Sequence, residues 1–268
     1  MSRLRVHGRT DARSQGGGAV LRYVELRPRQ LVELRSARPV AYLALGILEW
    51  HGLHNPLGLD GIKANAVLEY IAERIGGIVM PPLFWGDDRS AIAEVVFDSK
   101  VSNWLPPGTG DHATRISALM GLSRPRLEEE ADRSKRNGGM RLWEELVVHT
   151  LFQIESLGFR AIVPYPGHYP LIEPLDRAVS TYRTQGGGCA VHVLKDQDAG
   201  VGDHAAKVET SLLLRLRPDL VDLGELDPGD EMHTGVLGDD PLKNASAEYG
   251  EEILQKLLEV ARQRLASA

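Results

Sequence analysis

The stretch Val40-Ala-Tyr-Leu-Ala-Leu-Gly-Ile-Leu48, followed at once by Glu49-Trp50-His51-Gly52-Leu53-His54-Asn55-Pro56-Leu57-Gly58-Leu59-Asp60, decides the fold. A continuous apolar run of this kind is a strand buried on both faces, the habit of parallel sheets. Polar groups that directly follow such a strand lie where open α/β sheets collect their ligands.

Downstream, Ala64, Val67, Leu68, Ile71, Ala72 and Ile75 fall at helical spacing and stop at Gly76-Gly77, a helix end that exploits glycine's access to the left-handed region. Ile78-Val-Met-Pro-Pro-Leu-Phe84 reads as a strand entering a loop at Trp85-Gly-Asp-Asp88. Trp143, Leu146, Val147, Leu151 and Ile154 return to helical spacing, and Phe159-Arg-Ala-Ile-Val-Pro-Tyr165 reads as the next strand. Residues 189–194 form another strand candidate, residues 205–216 a helix, and Leu254, Leu257, Leu258, Ala261 and Leu265 an amphipathic C-terminal helix. The alternation predicts a three-layer α/β/α domain with a mainly parallel central sheet.

The chain has 268 residues, enough for a substantial core without disulfide support. Residues 1–18, with Arg, Ser and a Gly16-Gly17-Gly18 run, read as a mobile leader, and residues 19–268 as one domain. Residues 105–137, rich in Pro, Gly, Arg and Glu, read as an insertion or lid with some helix, in which Trp104, Asp111 and His112 receive no catalytic role. The Arg and Glu runs around Arg124 to Arg136 are a solvated helix face. A net charge of -6, with 31 Lys+Arg and 37 Asp+Glu of mixed order, gives no footprint for a nucleic acid. The apolar run 40–48 is too short to span a membrane, and no signal peptide is visible, so a cytoplasmic protein is expected. The single cysteine, Cys189, reads as a buried strand thiol. The Gly186-Gly187-Gly188 run precedes a strand, which makes it a poor phosphate cradle.

Three clusters carry chemistry. In an extended chain Glu49 and His51 point to the same side, so a carboxylate and an imidazole can converge on one ion, and Gly52 and Gly58 let the loop bring Asp60 to the same point. Asp60 could equally be the N-cap of the following helix, and His54 an ordinary loop side chain. The second cluster, Pro164-Tyr165-Pro166-Gly167-His168-Tyr169, puts a histidine in a turn after a strand. The third is Gly202-Asp203-His204-Ala205-Ala206-Lys207-Val208-Glu209-Thr210-Ser211, with Asp203 suited to cap a helix, His204 in its first turn and Glu209 further in. A carboxylate entering an apolar helix face needs a partner, either a metal cation or a buried Arg.

These clusters, in this order, resemble the creatininase (creatinine amidohydrolase) family, whose pattern is Glu-x-His-Gly-x-His-x-Pro-x-Gly-x-Asp, then a Gly-His turn, then His-Ala-x-x-x-Glu-Thr-Ser. The tail Thr234-Gly-Val-Leu-Gly-Asp-Asp-Pro241 with Ala245-Ser-Ala-Glu-Tyr-Gly250 resembles the family's closing segment. The resemblance implies that Glu49, His51, Asp60 and His168 bind a pair of divalent metals, Zn, Mn or Fe, with Asp60 between them. It makes His204 a catalytic proton-transfer residue, and Glu209 the remaining carboxylate, as ligand or as base. Creatinine-cleaving members carry Gly-His-Tyr-Glu-Asn at the second cluster, whereas this chain has Pro166-Gly167-His168-Tyr169-Pro170-Leu171. Pro170 offers no side-chain donor, so Glu209 or Glu173 completes the second ion, or the site holds one ion, or activity is reduced. Trp50, where Gln is usual, alters the pocket floor. The resemblance therefore implies a metal-dependent hydrolase that uses metal-activated water on a small, cyclic or linear amide or related carbonyl compound other than creatinine. A ring-opening hydrolase of a cyclic polyol ketone and a non-catalytic metabolite-binding relative are the alternatives. A homo-oligomer, with a hexamer as one form, is implied as well.

Overall fold

The computed structural model describes residues 22–85, 112–229 and 233–266. The expected leader, Trp104, Asp111 and the start of the insertion lie outside the described residues. In chain order the described elements are α1 (Pro28–Ala37), β1 (Val40–Leu45), α2 (Leu59–Ile75), β2 (Ile78–Val79), α3 (His112–Leu119), α4 (Arg124–Arg136) and α5 (Met140–Ser156). They continue with β3 (Ala161–Pro166), α6 (Ile172–Thr184), β4 (Ala190–Val191), α7 (Lys207–Leu216), α8 (Pro241–Asn244) and α9 (Ala247–Ala266). The strands form one parallel sheet in the order β2-β1-β3-β4.

Alternate residues of the central strands feed two cores. Val40, Tyr42, Ala44, Val163 and Tyr165 pack with Val67, Leu68, Leu212, Leu254 and Leu257 of α2, α7 and α9. Ala41, Leu43, Leu45 and Ile162 pack with Trp143, Val147, Leu151, Leu175 and Val179 of α5 and α6. Helices on both faces of a parallel sheet, whose central strands are fully buried, give the three layers that the alternation of strands and helices predicted.

Several boundaries differ from the sequence reading. The first strand ends at Leu45, three residues before the apolar run does. A Cβ on Gly46 would stand 2.3 Å from the Gly61 amide nitrogen, so the chain there is pressed against α2 and turns out of the sheet. Residues 78–84 give only a two-residue strand, because Pro81 and Pro82 bring no amide protons to a ladder. Residues 192–194 keep pairing past the end of β4, with the His192 and Leu194 amides donating to Ile162 and Pro164. Cys189 is buried, its Sγ 3.1 Å from the Phe159 carbonyl, and burial raises its pKa. The helix expected over 205–216 starts at Lys207, because Ala205 has φ +54° and Ala206 is extended.

In the insertion, α4 buries only Ala131, while Ala113 and Ile116 of α3 pack on Trp50. The Trp50 indole donates to the Thr234 carbonyl at 2.9 Å, and His112 Nδ1 accepts from the Gly235 amide. Trp50 thus joins the insertion to the 233–237 segment instead of forming a pocket floor.

Gly167 lets the end of β3 press against the start of α2: a Cβ there would stand 2.0 Å from the Asp60 carbonyl oxygen. Gly167→Ala should therefore push β3 and α2 apart, lower stability by about 1–3 kcal/mol or more, and weaken metal retention. Thermal melting and metal analysis of that variant check this.

Candidate metal centre

β1 and β3 are adjacent, and the chain leaves them toward opposite edges of the sheet, β1 to β2 and β3 to β4. That reversal opens a crevice beyond their carboxyl ends. Glu49 and His51 follow β1, His168 follows β3, Asp60 lies on the first turn of α2, and Glu209 on the first turn of α7. Gly58 is the N-cap of α2, so Asp60 is not that helix's cap.

The side chains converge. His51 Nε2 lies 3.2 Å from Asp60 Oδ1, 3.7 Å from Glu209 Oε2 and 3.8 Å from Glu49 Oε2. His168 Nδ1 lies 3.0 Å from Glu49 Oε2 and 3.3 Å from Asp60 Oδ2. His204 Nδ1 is 4.0 Å from Glu49 Oε2, and its ring sits 4.4 Å from that of His51. Glu49, His51, Asp60 and Glu209 are almost completely buried.

This donor set fits divalent ions. Three buried carboxylates this close repel one another unless cations lie among them. Both Glu49 oxygens, His51 Nε2 and Asp60 Oδ2 are buried and make no hydrogen bond of acceptable geometry. The ring nitrogens facing away are tied down: His51 Nδ1 donates to the Glu49 carbonyl at 3.1 Å, and His204 Nε2 to that of Trp50 at 3.1 Å. Such outer bonds orient an imidazole for coordination. Three overlapping groups offer donor atoms within 4.8 Å of one another: Glu49, His51 and His204; Glu49, Asp60 and His168; His51, Asp60 and Glu209. Glu49, His51 and Asp60 each belong to two of them, and of these the two carboxylates have a second oxygen to offer a neighbouring ion.

His204 precedes α7, where its backbone bridges to Leu237. The left-handed Ala205, the only non-glycine residue at positive φ among the described residues, makes the turn that brings His204 and Glu209 to the same point. Ala206, not Asp203, is the N-cap of α7, although the Asp203 carboxylate, three residues earlier, accepts from the Val208 and Glu209 amides of its first turn at 2.6 and 3.2 Å. Burial, reinforced by Glu209, raises the Asp203 carboxyl pKa to about 7. His54 is buried among Asn55 and Thr210, 3.0 Å from the Thr210 hydroxyl, and burial lowers its pKa to about 4, leaving it a neutral support. Glu173 faces solvent in an ion pair with Arg177, away from the cluster. Pro170 lines the cavity described below without a donor.

The partner that the sequence left open for Glu209 is a lysine. Lys63, fully buried on α2, places Nζ 2.6 Å from Glu209 Oε1 and 2.8 Å from Asp196 Oδ2. Asp196 also accepts from the Tyr165 and Tyr169 hydroxyls. Sequence reading missed this group, although one signal existed: Lys63 shares the spacing of buried Val67 and Ile71, and a charge on a core face requires a counter-charge. Asp196, in Lys195-Asp196-Gln197-Asp198, resembles any solvated polar run.

Protons hold the cluster together without metal. Burial lowers the His51 pKa, but Asp60, Glu209 and Glu49 outweigh it and lift it to about 9; for His168, Glu49 and Asp60 overcome burial and lift it to about 10. Asp60, despite burial, is held well below the usual range by His51 and His168. Raised histidines stabilise the fold below their unfolded pKa of 6.5, and that contribution disappears as pH rises through 9 to 10. Asp60 contributes above 3.8 and loses its contribution in acid. Chelator-treated protein should therefore melt lower at pH 10 than at pH 7. Zinc loading near pH 7.5 should release about two protons per chain, since ligating histidines must be neutral. Calorimetry in buffers of different ionisation enthalpy measures that release, and no release would contradict the assignment.

A cavity of about 860 Å³ opens onto Glu49, Asp60, His168, His204 and Glu209 and is walled by Tyr169, Pro170, Val201, Val208, Leu237 and Tyr249. Its described lining residues include no Lys or Arg.

The fold and the cluster define a doubly wound α/β protein with a buried histidine and carboxylate centre suited to divalent ions. Residues 25–98 and 140–265 match the family model described as Creatininase: Creatinine amidohydrolase, and the chain belongs to that family. It is 29% identical over 254 residues to the creatinine amidohydrolase of Pseudomonas putida, covering 81% of this chain and 84% of that protein. Among solved structures, a creatininase with a Trp-to-Phe substitution has a TM-score of 0.61 at 25% identity, covering 93% of this chain and 98% of that one. A structure named "Creatininase Mn" has a TM-score of 0.58 at 25% identity, covering 90% and 95% of the two chains. No helix among the described residues is long and apolar enough to cross a membrane.

Proposed function

We propose that the protein is a metal-dependent hydrolase that cleaves a small, neutral amide, cyclic or linear, or a related carbonyl compound other than creatinine. The observation that carries this reading is the set of buried donor atoms on Glu49, His51 and Asp60 that lack hydrogen-bond partners, beside a small-molecule cavity that Glu49 and Asp60 line. Glu49, Asp60 and His168 would hold one ion, and His51, Asp60 and Glu209 a second, with His204 beside them. Bound divalent ions supply polarisation of a carbonyl and a water acidic enough to give hydroxide near neutrality.

The chain's own groups do the rest. Asp60 offers one oxygen to each side of the centre, which fixes the spacing of the two halves. The His51 ring is fixed by its tie to the Glu49 carbonyl, and His204 is held by the Trp50 carbonyl with Nδ1 toward the cluster, where it can take up or give a proton at that atom. Tyr169, Leu237 and Tyr249 exclude water from a bound substrate. The absence of Lys and Arg among the described lining residues disfavours an anionic substrate. The loss of a donor at Pro170 supports a substrate other than creatinine.

The test is a panel of cyclic amides, linear amides and cyclic polyol ketones, offered to metal-loaded and chelator-treated protein. Hydrolysis of an amide that stops on chelation and returns with zinc or manganese is the expected result. Turnover of the ketones alone would move the assignment to ring opening of a carbon skeleton, and no turnover by metal-loaded protein would favour a metabolite-binding relative. A homo-oligomer in the cytoplasm belongs to the same proposal. The exposed Leu142 and Leu146, one turn apart on α5, offer apolar surface for self-association, which light scattering would read as mass above that of one chain.

A further inference from the structure

The Lys63 group is larger than charge balance requires. Asp196 alone would neutralise one ammonium, and it is already fixed by two tyrosine hydroxyls, one from β3 and one from the turn after it. Yet Lys63 also binds Glu209, so two carboxylates share one buried cation, and the surplus negative charge lies on the side that faces His51. The other Glu209 oxygen is pinned too: Oε2 accepts from the Ala205 amide at 2.8 Å, across the left-handed turn. With Oε1 on Lys63 and Oε2 on Ala205, the carboxylate has no freedom to rotate.

We propose that Lys63 is a positioning residue for the metal centre: by holding Glu209 Oε1 it leaves Oε2 as the one oxygen that Glu209 presents to the ions, which lets Glu209 stand in for the donor that Pro170 lacks. This rests on the metal-centre reading above. Lys63 itself touches no substrate, since it is absent from the cavity lining and separated from it by Tyr169, whose ring centroid lies 5.2 Å from Nζ. The arrangement explains why a lysine is tolerated on the core face of α2, and it couples the pocket wall at Tyr169 to the centre through Asp196.

The test reads zinc binding, not turnover. In the pair Lys63→Met with Asp196→Asn, the ammonium and its dedicated counter-ion leave together, and the tyrosine hydroxyls keep a partner. Competition with a chromophoric chelator should show the weaker of two zinc ions bound at least tenfold less tightly than in the unaltered protein, with the tighter ion unchanged. Glu209→Gln should weaken the same ion, and adding the Lys63 and Asp196 changes to it should have no further effect. Unchanged affinity for both ions in the folded pair variant would overturn the proposal, as would additive effects with Glu209→Gln. If the pair variant does not fold, a zinc-loaded crystal structure of the unaltered protein decides: one Glu209 oxygen at about 2.0–2.2 Å from zinc with Lys63 still on the other is expected, and coordination by both oxygens, or by neither, would overturn it. An unaltered protein that binds no zinc at all marks failure of the metal-centre reading instead.

Discussion

Asp60→Ala should empty the metal centre and reduce hydrolysis by on the order of 10³-fold, the scale of several kcal/mol of lost transition-state stabilisation. Asp60 is the one carboxylate whose two oxygens face different histidines, Oδ1 at 3.2 Å from His51 and Oδ2 at 3.3 Å from His168. It therefore touches both halves of the cluster, whereas removing Glu209 affects one. Without it, two cations would face each other with one fewer anion between them. Metal content per chain should fall for both ions, and activity should not return on adding excess zinc. Retention of both ions by a folded Asp60→Ala protein would show that Asp60 does not lie between them. The helix that carries Asp60 should survive, because its N-cap is Gly58 and its buried face runs from Ala64 to Ile71.

Lys63→Met on its own should be the most destabilising single change in the protein's polar interior, by roughly 3–5 kcal/mol, because it leaves Asp196 and Glu209 buried without their cation. In a chain of this size that corresponds to a fall of roughly 6–20 °C in Tm. Adding Asp196→Asn should restore part of the loss by removing one of the stranded charges. Calorimetric melting of chelator-treated protein measures both effects. A single variant as stable as the parent would mean that the Lys63 contacts carry no net weight.

How much of this was legible in the sequence differs from element to element. The apolar run at 40–48 announced the central strand and the parallel sheet, because burial on both faces leaves no polar alternation to confuse the reading. It did not announce where the strand ends: Gly46 leaves the sheet through a close approach to Gly61, a tertiary contact with no local signature. The strands at 78–84 and 189–194 were shortened by prolines and by ladder geometry that composition cannot price. At the site, spacing brought Glu49, His51 and Asp60 together, the resemblance to the creatininase family supplied the roles of His168, His204 and Glu209, and the structure gathers all six side chains into overlapping groups. What spacing could not convey was direction. The turn at Ala205, which takes His204 out of the helix and aims its Nδ1 at Glu49, depends on a left-handed alanine that no sequence rule would expect. Lys63 was missed although it falls in phase with the buried face of its helix, and its partner Asp196 lies 133 residues away and carries no mark of burial.

The central claim is that the cluster around Asp60 is a divalent metal centre. The direct measurement is metal content per chain by plasma mass spectrometry on protein purified without chelator, beside a His51→Ala variant. The account predicts about two ions of zinc, manganese or iron per chain, reduced in the variant. No retained ion, even after incubation with zinc or manganese, would contradict it.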